Sequence, residues 1–355
     1  MPNPGAIRAG RAYVETFVDN SRLVRGLKGA SARLKAWGAQ VSSVGRTLLT
    51  AFGAVAVPVA YATRTFMSFE DQMKAVQAVT GAVGREFDML TEKAKLLGRT
   101  TSYTASEVAA GMLTLARAGF APQEIDAAIA GMLSLARATG TDLAEASDIA
   151  AGTLRAFGLE AREVGRVADV LVATANSSAQ TLTDLGESMK YAAPIAAELG
   201  MSVEETAKSL GVLANMQIKG SMAGTALRKM MLSLADPAVQ KKLQGLGVEI
   251  FTDTGDLRSD LGNLMAEIGQ AMQGMTSGQR LDLLNQMFGQ RAMAAASKLA
   301  TADFPALVRA IDEAQGAAEK TADTMDSGLG GAFRRMLSAV EGVQIALGEA
   351  LSGTL

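Results

Sequence analysis

The sequence predicts an all-α protein. Three observations carry this: strong helix formers dominate, apolar residues recur at helical spacing, and glycines and capping side chains punctuate the chain. The 355 residues include 65 alanines and 19 methionines but only seven prolines, with 48% hydrophobic and 5% aromatic residues. The expected architecture is a long amino-terminal heptad-patterned helix, then an array of short capped helices, with one small β-hairpin.

Counting also restricts the chemistry. There is no Cys and no His. This excludes disulfides, thiol nucleophiles, zinc-thiolate sites and His-dependent triads. The net charge is −2. It hides an asymmetry, because residues 1–66 carry nine Arg/Lys against Glu15 and Asp19. A basic arm of this kind can meet an acidic partner, nucleic acid or an anionic surface, or be a solvated helix face. Met1–Gly10 shows no secretory pattern.

Residues 12–18 alternate as a short strand, and Asp19, Asn20 and Ser21 offer caps for a helix. Leu23, Leu27, Ala30, Leu34, Trp37, Val41, Val44 and Leu48 are then separated alternately by four and three residues. The same frame continues through Phe52, Val55, Val59, Ala62, Phe66, Phe69, Met73 and Val76. A sustained 3.5-residue period forces a supercoil, so Leu23–Leu48 is the candidate self-association seam. Drawn out as one helix, the 54 residues from Leu23 to Val76 span roughly 80 Å. Pro58 should kink it. The uncharged stretch 47–63 is at the short limit for a membrane span, and a buried core fits it better.

The middle repeats a helix-stop, helix-start unit. Gly119-Phe120, Gly158-Leu159 and Gly200-Met201 are each followed by Glu124, Glu163 or Glu205. The glycine can take positive φ, the apolar residue packs back on the finished helix, and the glutamate favours the next helix's first turn. Thr104 with Glu107 and Ser202 with Glu205 fit capping boxes. Helices are expected near 105–117, 123–138, 143–157, 162–175, 183–198, 203–217 and 222–235. The segment Val248–Leu257 reads as the hairpin, with Asp253, Asp256 and Asp260 as turn chemistry rather than a calcium loop, and Ser259 or Asp260 as a cap. Helices are expected again at 261–273, 278–287, 290–300, 304–319 and 333–351, with Thr321–Gly331 as a linker.

The expected organisation is an arm with a strand (1–20), a coiled-coil-like helix with its apolar segment (21–82), and a helical repeat core (83–245). Hairpin plus helices (246–300) follow, then carboxy-terminal helices (301–355) expected to continue in a longer native protein.

Several segments carry a family resemblance: Phe69-Glu70-Asp71-Gln72-Met73, Gly111 to Phe120, Arg166 to Leu171, Leu185 to Pro194, Ile218 to Leu227, and Met287-Phe288-Gly289. In order and spacing these resemble the core region of phage tail tape measure proteins over residues 65–300. The resemblance implies a structural, non-enzymatic protein with no cofactor and no metal site. Such a protein sets tail tube length during assembly and occupies the tail lumen until DNA ejection. It implies a homo-oligomer, trimer or hexamer, in contact with tail tube, tail-tip and tail assembly chaperone proteins, in host cytoplasm and then in the virion tail. Phage DNA and the host inner membrane are implied partners during ejection. Related proteins occur in prophages and injection systems.

Weaker signals point elsewhere. Glu187-Ser188 resembles the catalytic pair of lytic transglycosylases, but no partner motif accompanies it. Gly220 to Thr225 lacks the Lys-Ser/Thr ending of a phosphate loop. Residues 47–63 behind a basic helix would suit a membrane-inserting channel or plug acting at genome delivery. Arg22, Arg25, Lys28, Arg33, Lys35 and Arg46 would suit sequence-independent DNA contact, although no aromatic residues interleave.

Overall fold

In a computed structural model, residues 56–253, 258–302 and 305–352 are described, with side-chain surroundings from Tyr61 onward. Sixteen α-helices and one 3-10 turn occur among them. They are α1 (Ala56–Thr80), α2 (Arg85–Thr100), α3 (Ala105–Arg117), α4 (Pro122–Thr139), α5 (Leu143–Ala156) and α6 (Val164–Ser177). Next come α7 (Leu182–Glu198), α8 (Val203–Asn215), α9 (Ser221–Leu234), α10 (Pro237–Gly245) and α11 (Leu261–Ala271). The last are α12 (Ser277–Phe288), α13 (Gln290–Thr301), α14 (Pro305–Asp312), α15 (Ala317–Asp326) and α16 (Leu329–Ser352).

The helix-stop unit closes as the residues require. Gly119, Gly158 and Gly200 take φ of 83°, 64° and 70°. The N–H of the apolar residue after each reaches back to a carbonyl: Phe120 to Leu115 at 3.1 Å, Leu159 to Leu154 at 2.9 Å, Met201 to Ala196 at 2.9 Å. The N–H of each glycine also bonds, to Ala116, Arg155 and Ala197. These are Schellman closures, which satisfy carbonyls a helix end leaves bare. Two more occur: Ile218 bonds to Leu213 past Gln217, and Val248 to Leu243 past Gly247. Among the described residues, Gln217 is the non-glycine residue at positive φ, 63°.

The starts are capped too. Thr104 and Glu107 form the expected box, at 3.2 and 2.7 Å. Glu124 and Glu163 accept from the backbone N–H of Ala121 and Glu160. Glu205 differs from its equivalents. Ser202 accepts from its N–H, but its carboxylate turns away to cap the first turn of α11 at Gly262, 2.9 Å.

Many of the closest pairs are alternate helices along the chain, and small residues bring them close. α7 lies against α9, where a Cβ on Gly224 would overlap the carbonyl oxygen of Ser188. α11 lies against α13, where Gly269 faces the carbonyl of Ala300 in the same way. The chain then doubles back. α15 packs on α4 and α6, and α16 packs on α2. The core joins these layers through buried residues such as Leu115, Leu135, Leu171 and Phe288. Each such side chain contributes about 1.5–3 kcal/mol by leaving water.

Several expectations are corrected. No β-hairpin exists among the described residues. Val248 and Ile250 are buried, alternating with exposed Glu249, and Phe251 holds a lone bridge. The stretch is anchored by side-chain burial and by Arg258, whose N–H donates to Ile250 at 2.9 Å. Asp260 does not cap α11, because its carboxylate is taken by the Arg258 guanidinium at 2.7 Å. The linker expected at Thr321–Gly331 is helical apart from Ser327 and Gly328. Conversely, the single helix expected at 304–319 is split before Gly316, which takes φ of 76°. α2 and α10 fall within the helical repeat core expected at 83–245, but no helix of their own was expected there.

The strand at 12–18, the seam Leu23–Leu48 and its basic residues lie outside the described residues. So does most of the apolar segment 47–63. Where the apolar frame enters α1 it turns inward. Ala62, Phe69, Met73 and Val76 are fully buried within this chain, so this stretch of the frame serves an internal core.

Candidate functional site

The family-like segments are the natural place to look for a site, and most of their residues serve the architecture. Phe69 and Met73 are core residues, as are Met112, Leu115 and Phe288. Gly111 meets the side chains of Ile129 and Leu143, and Gly289 takes φ of 74° between α12 and α13.

Two polar residues in these segments act at long range. Arg166 grips Glu204 through two hydrogen bonds, 2.6 and 2.8 Å, and Glu163 at 3.1 Å. It thereby ties the first turn of α6 to the first turn of α8. The hydrogen bonds that Arg166 donates to Glu204 hold its guanidinium above its ordinary range despite burial. Burial pushes the Glu204 carboxyl up, but the bonds from Arg166 outweigh it and leave the group below the usual carboxylate range. Asp169, one turn on, accepts from the backbone N–H of Gly316 and Ala318 at 2.7 and 2.9 Å. A carboxylate at a helix start answers both the bare N–H groups and the positive helix end.

Glu187 and Ser188 do not form a catalytic pair. Ser188 is fully buried, with Oγ 2.9 Å from the Asp184 carbonyl and 2.8 Å from that of Gly220. Glu187 is on the surface and pairs with Lys190 at 3.1 Å. Ser188 therefore fastens α7 to the start of α9, and Gly220, at φ of 61°, joins helices rather than cradling phosphate. Among the described residues no group of three acidic side chains could hold a metal ion. No described helix is long and apolar enough to cross a membrane.

A second polar centre was not foreseen. Asp326, at the end of α15, receives Arg137 of α4 at 2.6 Å and Arg334 of α16 at 2.7 Å. Nearby, burial pushes the Tyr103 phenol up to about 12. Ser338 of α16 donates within the same region, to the carbonyls of Tyr103 and Gly98. The sequence held no signal for this centre, because Arg137 lies nearly 200 residues from Asp326 and Arg334.

What the geometry defines among the described residues is a braced helical body with ion pairs and caps at its joints. It is the build of a structural component. The model of the family described as "Phage-related minor tail protein" matches residues 91–289. The chain belongs to that family. It is 37% identical over 328 residues to the "Tape measure protein" of Pneumococcus phage Dp-1, covering 90% of this chain and 28% of that protein. It is 30% identical over 297 residues to the "Probable tape measure protein" of Escherichia phage P2, covering 81% of this chain and 36% of that one. The chain thus spans about a third of the length of the curated relatives it matches. No solved structure matches it.

Proposed function

We propose that this chain acts as a tail tape measure protein: a structural component that sets tail tube length during assembly and occupies the tail lumen until DNA ejection. The carrying observation is the 37% identity to a tape measure protein across nine-tenths of the chain. In this reading the amino-terminal seam, Leu23 to Leu48, lies extended and associates with other copies. A helix rises 1.5 Å per residue, so length follows residue count. The body formed by α1–α16 is folded back on itself and converts its residues into little length. It serves as a hub toward tail tube or tail-tip proteins.

The test is electron microscopy of particles from a phage or prophage whose gene is silenced. Loss of tails, or tails of uncontrolled length restored to one length by the intact gene, supports the role. Normal tails of uniform length without the protein overturn it.

A further inference from the structure

α16 is two-faced. Gly331, Ser338 and Ile345, seven residues apart, are buried against the chain's own core. Polar contacts fix this side: Ser338 to the Tyr103 carbonyl at 2.7 Å, Glu341 to the Ser106 N–H at 3.0 Å, and Glu349 to Lys95 at 2.8 Å. The other side is mostly uncovered, with Leu329, Phe333, Val340 and Val343 exposed and Met336 and Leu347 half-buried. Leu329, Phe333, Met336, Val340, Val343 and Leu347 are separated by four, three, four, three and four residues, and none of them is buried. Phe333 is 57% exposed and Leu329 51%.

This is a heptad seam on a helix held rigidly by its opposite face. A 3.5-residue period is matched by a second helix. No charge interrupts the seam. It is bordered by Ala332, Ala339 and Ala346 on one side and by Leu337 and Gln344 on the other. The exposed apolar area is on the order of 500 Å², at the upper end of what a monomer leaves bare.

The order of side-chain sizes indicates the occupant. The seam has a leucine at each end, Leu329 and Leu347. Between them it is bulky in its first half (Phe333, Met336) and slim in its second (Val340, Val343). We propose that it pairs with α16 of a second copy, antiparallel, about a two-fold axis at Ser338. That register sets Leu329 on Leu347 of the second copy, Phe333 on Val343 and Met336 on Val340. The end layers then join two medium residues, and every inner layer joins one large and one small. Layers of similar total size let the helices keep a constant separation. A parallel pair would stack Phe333 on itself in one layer and Val343 on itself in another, so its layers would be unequal. The antiparallel pair would bury about 1,000 Å², the lower bound for a specific interface. Copies aligned in one direction cannot share this contact, so it belongs to the free chain. It does not rest on the amino-terminal seam.

The full chain contains no Cys, so single cysteines report cleanly. Met336→Cys and Val340→Cys chains are mixed under mild oxidation and the disulfide-linked species quantified. The mixture is expected to cross-link several-fold faster than either variant alone. Adding Phe333→Asp to both should abolish the product with the circular dichroism spectrum and thermal midpoint unchanged. Adding Leu34→Asp, which breaks the amino-terminal seam, should leave it intact. No mixed product, equally fast linking of Met336→Cys alone, or loss of the product with Leu34→Asp would overturn the proposal.

Discussion

The carboxylate of Asp169, in the middle of α6, holds the backbone N–H groups of Gly316 and Ala318 at 2.7 and 2.9 Å. One side chain in a family-like segment thus starts a helix that lies far along the chain. Asp169→Ala should lower stability by about 1–2 kcal/mol, the range for a lost N-cap. Asp169→Asn should lose less. Urea unfolding measures the first effect, and amide exchange locates it. Accelerated exchange concentrated in α15 is expected; unchanged exchange there would contradict the assignment.

The helix-stop unit makes a prediction with two signs. Gln217 occupies the position that Gly200 holds in its own turn, both at positive φ. An L-residue pays roughly 1–2 kcal/mol there. Gln217→Gly should therefore raise stability by about 1 kcal/mol and Gly200→Ala lower it by about as much. Thermal midpoints of the two variants check this, and shifts of the same sign would contradict it.

Gly224 lies under a different constraint, that of space. Its φ is helical, but a Cβ there would meet the Ser188 backbone. Gly224→Ala should force α7 and α9 apart and cost about 1–3 kcal/mol, as overpacking does. Gly152, with open space around it, is the control: Gly152→Ala should be neutral or stabilising. Equal effects at the two sites in denaturant titrations would count against the close approach.

Acid should loosen the ion-paired joints. Glu204 and, through the Arg258 guanidinium, Asp260 are held below the ordinary carboxylate range. Groups with lowered folded pKa stabilise fully above their unfolded value, about 4, and lose that contribution as pH falls through the folded value. The thermal midpoint should therefore fall on acidification between about pH 5 and pH 2. In a Glu204→Gln, Asp260→Asn double variant this acid limb should flatten, starting from a lower plateau. An equally steep limb would show that other groups govern it.

Local chemistry was legible in the sequence, and long-range chemistry was not. Gly119, Gly158 and Gly200 announced their turns because a Schellman closure is written within six residues. Thr104 and Glu107 announced a cap for the same reason. The glycines at 330 and 331 misled, because Gly331 packs against the Asp326 backbone and α16, which starts at Leu329, runs on through both, whereas Gly328 does lie in the break between α15 and α16. Asp260 misled because Arg258 competes for its carboxylate. Asp169, Asp326 and the diverted Glu205 were invisible as joints, since each acts on a helix that only folding brings near. The part of the 3.5-residue frame that enters α1 places Ala62, Phe69, Met73 and Val76 in the chain's own core. Spacing cannot distinguish a stripe that faces another copy from one that faces the chain's own core.

We propose that the amino-terminal seam is part of the tail's measuring length, to which the folded body adds little. The direct measurement is tail length by electron microscopy after four heptads are inserted behind Val44 in the full gene. At 1.5 Å per residue the tails should lengthen by roughly 42 Å. Intact tails of unchanged length would contradict the account and assign this part of the protein to an end of the tail.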